Sequence, residues 1–464
     1  MRTAMANVAT HEVPSNLARG RLLHLPLVGW FTRLVGPAAL TAAGMIGAGA
    51  VATRLLAGAW FGFDLLWVAL YVIPLVIFTL DSASRVAAVS GGRGMLEMVR
   101  TDIGPWLAWG VFLAAFGVNI VVNMSQMAAM VEGAYGAFGA LPPAGTDSGF
   151  IVTAAVLTAA TVALAVLGGY KRVEKLMTAL LAVILVCFII VAAKGLLDWH
   201  TWPDLARGLV PSVPADQPVV GNTGARSGFT QLMAIAGQAL PPTVFLTYGY
   251  LHVNAGYTTA DVRQAFWKTV QNLGYIWGAF SVVVIVAGTT ALHQVYTGTG
   301  PSFLGVNHYS QIESIPVAGQ VLGPAFPGAF GFLAPRVFSL GLVGAGFTTL
   351  ISVALTMTYL CLDAFKRDWH FTTKNRTFQW VFALWIAVPA MLTPFWAMPA
   401  LLKAITAMVG NLLLAPVAVA IIMYFVNRRS MGEFKANAGR NAVLGLTLLF
   451  ALTLAATGVA RLLP

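Results

Sequence analysis

Gly47-Ala48-Gly49-Ala50 interrupts the first apolar run of the chain, and no acidic residue lies near it. A helix broken at such a point leaves free carbonyls at the end of one half and free N–H groups at the start of the next. The N–H groups opening after Gly49 carry partial positive charge, which suits an anion. One turn on, Arg54 adds a full charge. Near the outer mouth it would draw anions and repel divalent cations; at the interface it would only snorkel. Pro241, Pro242 and Gly249 interrupt the sixth apolar run. Paired interruptions in corresponding halves of a membrane chain mark a transport site, although glycine is also frequent where helices pack closely.

Other side chains can add chemistry to that site. Asn119, Asn123 and Gln126, at spacings of four and three, form one polar stripe on the third span. Asn123 and Gln126 are expected to line a wet pathway. Thr348, Thr349, Ser352 and Thr356 on the eighth span are expected to bond between helices. Phe245 and Tyr248 would narrow the site and stack on an organic substrate, or simply fill its volume. Glu132 is an intramembrane carboxylate and so a candidate for proton coupling, while its place near a span end permits ordinary solvation. His252 offers a proton relay or a bond to a nearby carbonyl. Asp81 and Arg85, four apart, are expected to pair. Nothing resembles a catalytic triad, a P-loop or a cluster of Cys and His ligands, so neither an enzyme nor an ATP-driven pump is indicated, and no cofactor is called for.

The elements that must position these residues are membrane helices. Of 464 residues, 58% are hydrophobic and only 9% are charged, against roughly 25% charged in a soluble domain. Apolar runs recur at 35–57, 63–88, 105–137, 150–168, 174–195, 228–252, 270–292, 337–362, 377–397, 401–425 and 441–461. Eleven helical spans in a lipid bilayer are expected. With the N-terminus inside, 20 of the 27 Lys and Arg residues fall on the inner side, which sets the orientation as N-terminus cytoplasmic. The net charge of +11 is therefore read as topology signal and not as nucleic-acid binding. Cys187 and Cys361 both fall in apolar runs and are read as packing residues. The expected organisation is an N-terminal cytoplasmic segment, 1–34, a core, 35–425, and an inner loop with the eleventh helix, 426–464.

Several segments, in order, resemble the natural resistance-associated macrophage protein (Nramp) family of divalent-metal transporters. Gly36-Pro37 and Phe61-Gly62-Phe63-Asp64-Leu65-Leu66-Trp67 are similar to the family's GPG…FGYSLLW run. Ser90-Gly91-Gly92-Arg93 is similar to its Gly-Arg pair after helix 2, and Tyr170-Lys171-Arg172-Val173-Glu174-Lys175-Leu176 to its GFRRLE turn. Leu205–Pro211 and Phe338–Phe347 match as well. The resemblance implies an all-α membrane protein with the LeuT/APC-like inverted repeat, helices 1–5 and 6–10, and helices 1 and 6 unwound at mid-membrane. The expected location is a bacterial inner (plasma) membrane.

The family's ligand motifs are replaced. Its Asp-Pro-Gly-Asn aligns with Gly47, Ala48, Gly49 and Ala50, and its Met-Pro-His-Asn with Phe245, Leu246, Thr247 and Tyr248. Two helix 3 acids align with Met124 and Met127, the helix 10 glutamine with Met408, and an acid one turn after the first break with Arg54. Divalent ions favour carboxylate oxygens, and no acid is placed at mid-membrane here. Backbone carbonyls aided by the thioethers of Met124, Met127 and Met408 remain as weak cation ligands. The chain is expected to be a secondary transporter. Family resemblance points to a metal cation, with or without coupled protons. Site chemistry points equally to a small organic anion or zwitterion, and a non-transporting sensor is the third reading.

Overall fold

The computed structural model describes residues 37–143, 145–166, 170–218, 225–297, 314–322, 328–371 and 375–462, so the expected segment 1–34 lies outside the described residues. Its helices, in chain order, begin with α1 (Pro37–Met45), α2 (Ala48–Phe61), α3 (Leu66–Val89), α4 (Met95–Asp102) and α5 (Pro105–Ala137). Next come α6 (Ser148–Val166), α7 (Tyr170–Leu196), α8 (Thr201–Arg207), α9 (Gly228–Ala239), α10 (Pro242–Asn254) and α11 (Val262–Thr269). A π-helical stretch, Val270–Trp277, joins α11 to α12 (Gly278–Thr297). The series closes with α13 (Ile315–Leu322), α14 (Ala329–Ala364), α15 (Arg376–Leu392), α16 (Ala400–Val426) and α17 (Ala438–Leu462).

Among the described residues, eight helices are long and apolar enough to cross a membrane, or nine where the end of α7 turns through 112° into α8. The first and sixth expected spans are too short as single helices because each comes in two pieces, α1 with α2 and α9 with α10. Among the described residues, each of the eleven expected spans overlaps one or two of these helices.

The two breaks have different causes. At the first, Gly47 is extended (φ −95°, ψ −178°) and starts α2 without a side-chain cap. At the second, Leu240 and Pro241 leave the helical region, and Pro242 opens α10. A proline lacks the N–H that a helix interior needs and disfavours helix in the residue before it, so a Pro-Pro pair must interrupt here. The break expected at Phe245–Tyr248 therefore lies one turn earlier, and α10 runs unbroken through those residues.

All of α2 is buried, including its one charged residue. It packs along α12 with backbones in contact. A Cβ on Gly58 would stand 2.3 Å from the Ile285 carbonyl oxygen, and one on Gly288 would stand 2.5 Å from that of Leu55. Such close approach is how helices associate where lipid supplies no hydrophobic drive. On the other side of the bundle, α5 packs along α14.

Candidate functional site

A cavity of about 50 Å³ lies between the two breaks. The first break contributes Gly44, Met45, Gly47, Gly49 and Ala50, and the second Gln238, Pro241 and Thr243. Asn119 and Gln126 reach it from α5, Thr349, Ser352 and Thr356 from α14, and Met408 and Asn411 from α16. The volume suits a few waters, at ~10–15 Å³ for each, and is far below the ~300 Å³ of the smallest common drug-sized pockets.

Side chains from other helices hold the first break open. Thr349 Oγ1 donates to the Gly44 carbonyl at 2.9 Å, and Gln238 Nε2 donates to that of Met45 at 2.6 Å. The Gly47 carbonyl accepts from Ala50 N and Val51 N within α2's first turn. The glycines make this contact feasible. A Cβ at Gly44 would lie 2.2 Å from Ser352 Oγ, and one at Gly47 only 1.9 Å from Thr349 Oγ1. Helix α14 thus occupies the space that a side chain at position 47 would need.

The wall is neutral and rich in acceptors. No charged residue lines it. Gln238 Oε1 and Gln126 Oε1 are both buried and accept no hydrogen bond. The orientation of each amide follows from its partner. Gln238 Nε2 faces a carbonyl, which only accepts. Gln126 Nε2 donates to Ser125 Oγ, whose own proton goes to the Val122 carbonyl. Asn119 Nδ2 is used on the Ala115 carbonyl and Thr243 Oγ1, and Asn411 Nδ2 points at Met408 Sδ, 3.6 Å away. Orphaned buried acceptors cost roughly 1–3 kcal/mol each. Both glutamine oxygens belong to residues of the cavity wall, where a cation, or water with protons to donate, would relieve the cost after a small rotation of either amide.

The expected residues divide into two groups. Gly47, Gly49, Ala50, Gln126 and Met408 meet at the cavity. Ala48 is buried but is not part of the wall. Phe245, Thr247 and Tyr248 are away from it on α10; Thr247 Oγ1 bonds the Thr243 carbonyl, and the Tyr248 hydroxyl pairs with Thr269 Oγ1 at 2.8 Å. The cavity has no aromatic wall on which an organic ring would stack. Asn123 points out of the polar stripe and donates to the Trp385 carbonyl at 3.0 Å. Met124 and Met127 also lie off the wall.

The three pathway candidates sit elsewhere. Arg54 is wholly buried, so it neither snorkels nor guards an open mouth. Its guanidinium bonds the Ala50 carbonyl and Thr53 Oγ1 and lies 5.1 Å from the Trp277 ring centre, with Nε and Nη2 unpaired. Glu132 is buried rather than solvated. It accepts from Ala400 N at 2.7 Å and Ile315 N at 3.2 Å, the first residues of α16 and α13. This is a double N-cap, in which one carboxylate meets two positive helix ends. His252 Nδ1 meets the Tyr248 carbonyl at 2.9 Å, one turn back on its own helix. The α14 hydroxyls, expected to bond between helices, do more: Thr349 bonds α1 and also lines the cavity.

Sequence reasoning passed over Gln238, Thr243 and Asn411. Their signal was positional, since Gln238 stands three before the first proline and Asn411 three after Met408.

The family model described as natural resistance-associated macrophage protein-like matches residues 38–461. The chain belongs to the Nramp family. Among curated relatives, the divalent metal cation transporter MntH of Brucella suis biovar 1 is 24% identical over 324 residues, 69% of this chain and 64% of that protein. MntH of Burkholderia ambifaria is 26% identical over 298 residues, 63% of this chain and 62% of that protein. The match thus spans less than two thirds of either relative. The Eremococcus coleocola manganese transporter, solved with an aromatic bis-isothiourea compound, superposes with a TM-score of 0.66 at 16% identity, covering 96% of this chain and 89% of that one. MhsT in complex with L-phenylalanine gives 0.55 at 14% identity, covering 89% and 98%. These likenesses establish the LeuT-like all-α membrane fold. Within this Nramp chain, no group of three or more His, Cys, Asp or Glu side chains is placed to hold a metal among the described residues.

Proposed function

We propose that this protein is a secondary transporter that carries a hard divalent cation, Mg2+ or Mn2+, through the cavity between the two breaks. The cation keeps part of its hydration shell. The observation that carries this reading is the neutral, polar cavity of about 50 Å³ between the breaks, lined by Gln126 and Gln238, whose amide oxygens are buried without a hydrogen-bond donor. Amide oxygens, hydroxyls and water suit Mg2+ and Mn2+ better than softer metals, and Mg2+ in particular gives up its waters reluctantly. Membership of the Nramp family and relatives named as divalent metal cation transporters support the same class.

Without a carboxylate in the wall, and with Arg54 one turn beyond Ala50, the site holds its ion weakly. It is built for passage more than for capture. No titratable side chain lines the cavity, so no proton is exchanged against the ion there. The organic-anion reading loses its support in the small volume and in the absence of an aromatic or cationic wall residue. The distribution of Lys and Arg supports a cytoplasmic N-terminus, and the bacterial source of the matching relatives supports the plasma membrane of a bacterium.

The test is Mn2+ binding to the purified protein in detergent, with Gly49→Leu as the control. A Cβ at Gly49 would stand 3.1 Å from the flexible end of Met408 and 3.6 Å from Gln126 Nε2, so Met408 must give way as a leucine fills the cavity, and the variant's melting temperature shows whether it is folded. Saturable binding that Gly49→Leu abolishes supports the site. Binding that survives in a folded Gly49→Leu protein places the ion elsewhere.

A further inference from the structure

A second cavity, of about 350 Å³, lies apart from the transport site, where Arg85 of α3, Arg263 of α11 and Arg440 of α17 converge. Phe266, Phe434 and Glu433 complete its main walls. Two of the three guanidinium groups are fixed in place. Buried Asp81 accepts on a single oxygen from Arg85 Nε at 2.9 Å and from Arg440 Nη2 at 2.6 Å. Arg440 is mostly buried, and its Nε has no hydrogen-bond partner. Arg263 is exposed and makes no ion pair among the described residues. Three arginines against Asp81 and Glu433 leave the cluster with an excess of one positive charge.

We propose that this cavity binds the phosphate of an anionic phospholipid headgroup. Guanidinium forks match phosphate oxygens in geometry and charge, and arginine keeps its charge when buried. The clamp is already ordered by Asp81, so binding need not immobilise Arg85 or Arg440. Arg85 and Arg263 present the donors that a ligand can reach, while Arg440, whose unpaired Nε is itself buried, contributes charge. The source is lipid rather than a soluble phosphate because of where the cavity lies along α11. Arg263 and Phe266 line it, and Trp267, next in sequence and 59% exposed, marks the level at which indole rings sit in a membrane interface. Basic pockets between spans at that level suit acidic headgroups. Neither the ion nor the helix breaks take part, so the proposal stands apart from the transport reading.

The experiment is native mass spectrometry of the purified protein titrated with phosphatidylglycerol, with phosphatidylcholine and with inorganic phosphate. Wild type is compared with Arg263→Gln, which leaves the Asp81 ion pairs intact. Preferential retention of phosphatidylglycerol, about fivefold weaker in Arg263→Gln, is expected. The variant's unchanged melting temperature in the absence of lipid shows that it is folded. Equal retention of phosphatidylglycerol by variant and wild type, or no preference over phosphatidylcholine, overturns the proposal. Competition by millimolar inorganic phosphate without any phosphatidylglycerol preference overturns the lipid source and leaves a soluble phosphate site.

Discussion

Replacing Gly47 with alanine tests whether α14 has closed over the first break. The new Cβ would meet Thr349 Oγ1 at 1.9 Å, Cβ at 2.7 Å and Cγ2 at 3.0 Å. Rotating Thr349 about χ1 moves Oγ1 and Cγ2 but leaves its Cβ in place, so no rotamer removes the clash. Helix α14 must back away from α1, which breaks the 2.9 Å bond from Thr349 to the Gly44 carbonyl. Overpacking costs about 1–3 kcal/mol and the lost hydrogen bond about 1 kcal/mol. Thr349→Gly removes all three clashing atoms. The double variant should recover the steric part of the loss but not the hydrogen bond, with a coupling energy of about 1 kcal/mol or more. The assay is unfolding of the purified wild type, both single variants and the double variant in one detergent. Additive losses would refute the steric reasoning. By the same geometry, Gly47→Asp does not restore the family's acid unless Thr349 is cut back as well.

Gln126→Leu and Gln238→Leu each remove an orphaned oxygen from the cavity. Each should raise KM for Mn2+ or Mg2+ about tenfold, whereas Tyr248→Phe, away from the wall, should leave KM unchanged; cation uptake kinetics check this. Glu132→Gln keeps the shape but replaces one acceptor with an NH2 group facing a helix N-terminus, so thermal unfolding should show a loss of about 1–3 kcal/mol. Burial pushes the Asp102 carboxyl at the end of α4 up, but the Thr101 hydroxyl and the Arg428 and Arg93 guanidinium groups outweigh it and hold the group below its usual value. A depressed carboxyl stabilises above its unfolded pKa and ceases to do so as pH falls through the folded one. The melting-temperature gap between wild type and Asp102→Asn should therefore be open at pH 7 and closed well below pH ~4.

The fold was legible because hydropathy and punctuation agree. Apolar runs set the spans, and the glycines near 47 and the prolines at 241 and 242 interrupted the two spans that are broken. Alignment to family motifs misplaced the second break. It tracked Tyr250-Leu251-His252, while the backbone obeys the earlier prolines, and so Phe245, Thr247 and Tyr248 lie off the cavity wall and Gln238 lies on it. Asn119 and Gln126, seven apart on α5, line one cavity wall. Asn123, a little round the same helix, found the Trp385 carbonyl, a partner that no spacing rule shows. The burial of Arg54 and Glu132 was not legible, for a shared reason: hydropathy gives depth along a helix but not whether a side chain faces lipid, water or another helix. The Glu132 double cap depends on two helix starts 183 and 268 residues away.

The most direct test of the central claim is uptake of Mn2+ and of Mg2+ into proteoliposomes containing the purified protein, with and without an inward proton gradient. The account predicts saturable, low-affinity uptake that is the same in both conditions and is lost in Gly49→Leu. No uptake of either ion by folded protein would contradict it, and so would uptake that Gly49→Leu leaves intact.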